Sequence, residues 1–287
     1  MSIILKNATY TYMAKTPFER TAIKDINLEI SEGEFVAIIG HTGSGKSTLV
    51  QHLNGLLKPN QGMVMVNGVD LHQKGEAAKA AKRRVGMVFQ YPEHQLFEET
   101  VYADIAFGPK NLGCPEEEVD KRVRRAMEFV HLDFATYQDR SPFQLSGGQM
   151  RRVAIAGVVA LQPQYLILDE PAAGLDPCGR DDIFTKLIDL HKKTETTIIL
   201  VSHNMDDVAK MANRLIVMHE GEISLDGPPQ EIFKHTEALK AAGVDVPQVT
   251  ALLNRLKVAG LDIDEHILTV DDAVESIVAS LRRKKSC

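Results

Sequence analysis

Cysteine is scarce: Cys114, Cys178 and Cys287 are the only three in 287 residues, widely separated and without a CxxC pair. That excludes a disulfide framework and a thiolate zinc cluster, suits a reducing compartment, and leaves all three as passive residues. Basic charge is not in excess either. Lys and Arg number 33 against 39 Asp and Glu, a net charge of -6, so no overall field draws in nucleic acid and any anionic ligand needs a local site. The longest uninterrupted apolar run, Val153 to Leu161, falls well short of the ~20 residues that span a bilayer. The opening MSIILKNATY lacks the basic stretch and apolar core of a secretory signal. The expectation is a chain that is not exported and reaches a membrane only through a partner.

What is present is ample apolar material, 44% of the residues, enough for about two domains with buried cores. Short apolar runs bounded by turn signals predict strands at Ile3 to Leu5, Ala22 to Ile30, Phe35 to Ile39 and Arg84 to Phe89. Met63 to Val66, ending at Asn67-Gly68, reads as a hairpin arm. Phe35 to Ile39 is apolar on both faces, as a parallel strand covered on both sides must be. From about Glu98 to Leu161 the period changes to 3.6: Val119, Val123, Ala126, Met127 and Val130 fall on one face of a helix that Pro115 opens. Strand signals return at Tyr165 to Leu168, Thr197 to Val201 and Leu215 to Met218, alternating with helical stretches as in βαβ units. Beyond Gly227-Pro228-Pro229 lies a small helical appendix. Val249, Leu252, Leu253 and Leu256 make one stripe; Val270, Val274, Ile277, Val278 and Leu281 make another, opened by a Thr269/Asp272 capping box. The run Arg282 to Lys285 is either a solvated end or a contact for anionic lipid. The expected division is a core of residues 1–94 and 162–227, a helical insert over 95–161, and an extension over 228–287.

Gly40-His41-Thr42-Gly43-Ser44-Gly45-Lys46-Ser47 fits G-x-x-x-x-G-K-[ST] in full and lies between a buried strand and a helix running from Lys46 into Leu53. The glycines let successive N–H groups turn inward, and the helix start adds its positive end, which together make a polyphosphate nest. Lys46 would reach the β- and γ-phosphates and Ser47 would place its hydroxyl on Mg²⁺. Tyr165 to Leu168 then delivers Asp169 and Glu170 at the carboxyl end of a second buried strand. Asp169 suits the Mg²⁺ through water, and Glu170 suits a base that polarises the attacking water. His203, after the strand Thr197 to Val201, could hydrogen-bond the γ-phosphate. A second anion-receptive helix start follows Leu145-Ser146-Gly147-Gly148-Gln149, with a helix predicted from Met150 to Leu161.

That ordered set, with Gln90 and Asp176, resembles the ATP-binding cassette (ABC) ATPase family over roughly residues 3 to 225. The resemblance implies an α/β P-loop NTPase (RecA-like) core with an antiparallel β subdomain, a helical subdomain insert and a small C-terminal helical extension. It assigns Gly40 through Ser47, with Thr48, to the Walker A loop and Gln90 to a glutamine that touches Mg²⁺ and the water. Asp169 and Glu170 become Walker B and its base, and His203 the switch histidine. Ser146, Gly147, Gly148 and Gln149 form the signature, and Gly174-Leu175-Asp176 the D-loop. In that family two cassettes close head to tail, each signature completing the ATP site of the other. An aromatic usually stacks on adenine; Tyr12, closing a strand-like segment, is the first candidate and Phe18 the second.

Chromosome-binding and repair ATPases insert a long coiled coil, translation-associated members carry two cassettes, and most exporters fuse membrane helices to the cassette; none of these features is in the sequence. Gln90 to Val101, Asp104 to Pro109, Phe143 to Leu161 and Gly174 to Arg180 resemble cassettes of energy-coupling factor transporters. Gly40 to Gly43 and Glu170 to Gly174 resemble the second of their two paralogous ATPases, with Ala172 where relatives commonly place Thr. The implied partners are a paralogous ATPase or a second copy of this chain, a transmembrane coupling subunit, and a separate substrate-binding membrane subunit, with no nucleic acid. The implied place is the cytoplasmic face of a cell membrane. Gln95 to Val101 would line the groove for a helix of the membrane subunit. The apolar stripe of the extension would serve dimer contact or pack on its own core. The alternative reading is a soluble ABC ATPase acting on nucleic acid or ribosomes.

Overall fold

The computed structural model describes residues 1–264 and 267–285; Cys287 lies outside them. Ten strands among the described residues are numbered in chain order: β1 Ser2–Tyr12, β2 Arg20–Ser31, β3 Phe35–Ile39, β4 Gln61–Val66, β5 Val69–Asp70, β6 Val85–Val88, β7 Tyr165–Asp169, β8 Thr197–Val201, β9 Arg214–His219 and β10 Glu222–Gly227. They form a four-stranded antiparallel sheet, β2-β1-β4-β5, and a six-stranded sheet, β10-β9-β3-β8-β7-β6, parallel except for β10. Every residue of β3, β6, β7 and β8 is buried, which is why their sequences run apolar on both faces. The pleat divides them between two cores. Phe35, Ala37, Ile39, Leu166, Leu168, Ile198 and Leu200 pack with the helical layer, whereas Val36, Ile38, Tyr165, Ile167, Ile199 and Val201 pack with the antiparallel sheet and the helix Lys46–Leu53.

Between β6 and β7 the chain builds the helices Val101–Asn111, Glu116–Phe129, Phe134–Tyr137 and Gly147–Val159. Pro115 is the N-cap of the second, and its stripe Val119, Val123, Ala126 and Met127 is buried as its spacing requires. The fourth starts at Gly147 rather than at the expected Met150. Ser146 caps it and Gln149 reaches back to the cap, a reciprocal pair that pulls both glycines into the first turn. Asn67 and Gly68 both have positive φ, 51° and 79°, as a tight turn between β4 and β5 demands. Strand β10 has no counterpart among the expected elements, because its intermediate and exposed residues give it no apolar run.

The segment after Gly227 divides by packing. Ile232, Phe233, Leu239, Ala242 and Val244 belong to the large helical core, while Val249, Leu253, Ile263 and Ala273 form a small separate cluster. The helix Val270–Lys285 turns Ala273 and Ile277 toward that cluster and leaves Val270, Val274, Val278 and Leu281 exposed. The expected single stripe is thus two faces. Thr269 Oγ1 accepts from the Asp272 N–H at 3.3 Å, the N-cap half of the box, and the return contact runs between side chains, the Thr269 hydroxyl donating to the Asp272 carboxylate at 2.5 Å.

Candidate ATP site

The phosphate loop leaves β3 at Gly40 and enters the helix Lys46–Leu53. Glycine is required at two of its positions by close approach: a Cβ on Gly40 would sit 2.3 Å from the Met218 carbonyl oxygen, and one on Gly45 2.5 Å from that of Ala22. Both have φ in the left-handed range, +147° and +105°. Lys46 crosses the loop, its ammonium donating to the Gly40 and His41 carbonyls at 2.7 and 2.9 Å. Burial pulls its pKa below the ordinary lysine value, with the Glu170 and Asp169 charges acting in the opposite direction.

Asp169 ends β7 almost fully buried. Burial raises its carboxyl above the usual range, and a hydrogen bond from the Ser47 hydroxyl opposes that shift. Glu170 comes next in the left-handed conformation, φ +51°, held by its N–H donating to Val201 O at 3.0 Å. The strained backbone aims its carboxylate between two side chains: His203 Nε2 lies 2.6 Å from one oxygen, and Gln90 Nε2 donates to the other at 3.1 Å. Parallel pairing places Asp169 opposite Val201, so both carboxyl-terminal strand ends open on the same side, beside the loop after β3.

Tyr12, Thr42, Gly43, Gly45, Lys46, Ser47, Thr48, Gln90, Glu170 and His203 line one cleft of about 450 Å³. Gly40, His41 and Ser44 form the loop behind it. The Tyr12 hydroxyl hydrogen-bonds Thr48 Oγ1 at 3.2 Å and its ring meets Tyr10 edge-on at 4.8 Å. Phe18 is 77% exposed and does not line the cleft. Arg20 does line it, and sequence reading missed it. Arg20 is the cross-strand partner of Tyr12, a pairing hidden by the irregular segment between them, so no local pattern could have marked it.

Ser146, Gly148 and Gln149 lie elsewhere. They line a second concavity of about 300 Å³ with Tyr137, Asp176 and Gly179, which shares no residue with the first. Gln149 donates to the Tyr137 hydroxyl at 3.0 Å, and Asp176 caps the helix Pro177–Thr194 by accepting from Gly179 N at 2.8 Å. The two regions are joined through Arg151. Nearly fully buried, it donates to both carboxylate oxygens of Glu93 at 3.2 Å and to the Gln90 carbonyl at 3.3 Å. Of the expected groove segment, Leu96 and Val101 point into the core and Thr100 caps a helix. The outward surface is made instead by Gln95, Phe97 and Glu99, with Tyr91 and Phe107 nearby and the Phe97 and Phe107 rings 4.8 Å apart. The Asp104 carboxylate accepts from Phe97 N and Glu98 N at 3.0 and 2.9 Å and holds that strip.

A parallel sheet with a glycine-rich loop, a buried aspartate followed by a partly buried glutamate, and a signature-capped helix defines an ATPase of the P-loop class. A family model described as "ABC transporter" matches residues 23–173. The chain is 55% identical over 284 residues to the energy-coupling factor transporter ATP-binding protein EcfA2 of Clostridium tetani, covering 99% of each. It is 56% identical over 282 residues to that of Clostridium perfringens, covering 98% of this chain and 99% of the other. Among solved structures it resembles cbiO1 of Clostridium perfringens, part of the ABC transporter complex cbiONQ, with a TM-score of 0.73 and 36% identity over 90% of this chain and 97% of that one. The dimeric ABC transporter cassette MJ0796 matches with a TM-score of 0.71 and 31% identity over 79% of this chain and 98% of that one. The chain belongs to the ABC transporter family, in its energy-coupling factor ATP-binding branch, and is an ABC-type ATPase. Among the described residues no helix is long and apolar enough to cross a membrane.

Proposed function

We propose that the chain is the second ATPase of an energy-coupling factor importer, hydrolysing ATP to drive uptake of vitamins or metal ions through a membrane partner. One observation carries the reading: the Ser146 segment shares no lining residue with the cleft of Lys46 and Glu170, so a complete site needs a second cassette, a paralogue or another copy, placed head to tail. ATP would enter with its adenine against Tyr12 and its phosphates in the Gly40–Thr48 loop. Ser47, Gln90 and Asp169 have the oxygen donors that Mg²⁺ takes; when bound, the ion would neutralise charge on the β- and γ-phosphates. Lys46 supplies the fixed positive charge on the same oxygens. Glu170 orients the attacking water and takes its proton as the water oxygen bonds to the γ-phosphorus and the bond to the ADP oxygen breaks. Gln90 and His203 hold the Glu170 carboxylate in place for that step.

The exposed aromatic strip Tyr91, Phe97 and Phe107 suits a helix of a transmembrane coupling subunit on the cytoplasmic face of the membrane, with a separate membrane subunit choosing the cargo. ATP binds the closed pair preferentially, and this differential affinity powers closure. The test is a Ser146→Arg chain. It should still bind ATP and should lose hydrolysis in the assembled complex; hydrolysis at the wild-type rate would refute the composite site. Co-purification with a hydrophobic transmembrane subunit supports the transport reading, whereas hydrolysis stimulated by nucleic acid without such a subunit overturns it.

A further inference from the structure

The C-terminal extension reaches the back of the phosphate loop. The His41 N–H donates to the Ala242 carbonyl at 3.0 Å, and a Cβ on Gly243 would lie 2.9 Å from the His41 Cβ. Ala242 is fully buried in the same core as Phe233 and Leu239, so its carbonyl stands on a packed support. The His41 carbonyl in turn accepts from the ammonium of Lys46, which lines the cleft, at 2.9 Å and from Ser44 N–H at 3.1 Å. One residue therefore joins the extension to the lysine that would hold the phosphates. A second tie lies nearby, where Gln248 N–H donates to Asp206 Oδ1 at 2.9 Å on the helix Met205–Met211, just beyond His203.

We propose that Ala242 and Gly243 are positioning residues for ATP binding, the extension setting the place of the phosphate loop through His41. The proposal rests on the cleft being the ATP site. Gly243 has φ +64°, so the absence of a side chain serves both the turn and the close approach. Backbone N–H groups in such a nest must point at fixed phosphate oxygens, and a displacement of a few tenths of an ångström at His41 is passed directly to the Lys46 contact.

The experiment is a cycle on the full chain, read by binding of a non-hydrolysable ATP analogue and by hydrolysis in the assembled transporter. Gly243→Ala should weaken analogue binding and raise KM by about fivefold while leaving kcat within about twofold. In a His41→Gly background, where the opposing Cβ is gone, Gly243→Ala should cause no further loss. Gly260→Ala is the strain control: Gly260 has φ +88° with no atom within 4 Å of a Cβ, and this change should leave affinity unaltered. Wild-type affinity in Gly243→Ala, or equal losses in both His41 backgrounds, would overturn the proposal. Should Gly243→Ala fail to fold, amide exchange in the wild-type protein decides: the His41 N–H should be protected before nucleotide is added, and unprotected exchange would overturn the proposal. Lys46→Ala separates the two readings, because retained analogue binding there would remove the ATP site itself rather than its link to the extension.

Discussion

Arg151 and Glu93 offer the most direct measure of how the signature helix is tied to the segment after Gln90. Their side chains are 5% and 18% exposed, with guanidinium nitrogens 3.2 Å from both carboxylate oxygens. Removing one partner of a well-buried pair costs about 3–5 kcal/mol, because the other charge is left unpaired. Arg151 Nη1 already has no hydrogen-bond partner among the described residues, and Glu93 retains some contact with solvent, so the lower end applies: Glu93→Ala should destabilise the protein by about 3 kcal/mol. For a chain of this size that lowers Tm by roughly 6–12 °C. Denaturant unfolding of Glu93→Ala, Arg151→Met and the double variant makes a cycle. The double variant should recover at least half of the Glu93→Ala loss, since a packed apolar side chain replaces the stranded charge. A loss below about 1 kcal/mol in Glu93→Ala would mean the pair behaves as an exposed one, and the physical link would be refuted.

Glu170→Gln should keep ATP binding and lower hydrolysis by at least about a hundredfold, and hydrolysis at the wild-type rate would remove Glu170 as the base. Tyr12→Ala should weaken ATP binding about fivefold by loss of a ring face, with Phe18→Ala unchanged; the reverse pattern in a titration would move the adenine contact to Phe18. Arg20→Ala should also weaken binding several-fold, and more at low than at high ionic strength, because its charge lines the phosphate cleft. Stability should depend on His52 and His72, whose pKa values burial lowers from 6.5 and whose Nε2 atoms are buried without partners among the described residues. The unfolded chain binds the proton more readily, so stability is present above pH 6.5 and is lost as pH falls below it, by at most about 1.4 kcal/mol per pH unit for each imidazole. His52→Phe should flatten that slope in denaturation curves measured between about pH 5 and 7, and an unchanged slope would exclude His52 as its source.

Much of the protein was legible without coordinates. Local chemistry determined the buried strands, since β3, β7 and β8 must be apolar on both faces wherever helices and a second sheet cover them. It also determined the phosphate loop, because the glycines at 40, 43 and 45 permit the positive φ values that turn successive N–H groups inward. Tertiary structure alone decided which groups meet. The Tyr12–Arg20 pairing, the grip of Gln90 and His203 on Glu170, the Arg151–Glu93 link and the docking of Ala242 on His41 each join residues from separate elements. No periodicity records such distances. The burial of Leu96 and Val101 within the expected docking strip, and the split of the last helix into two faces, follow likewise from what each segment packs against. Composition states only that a side chain is apolar; its neighbours decide whether that apolar surface is covered.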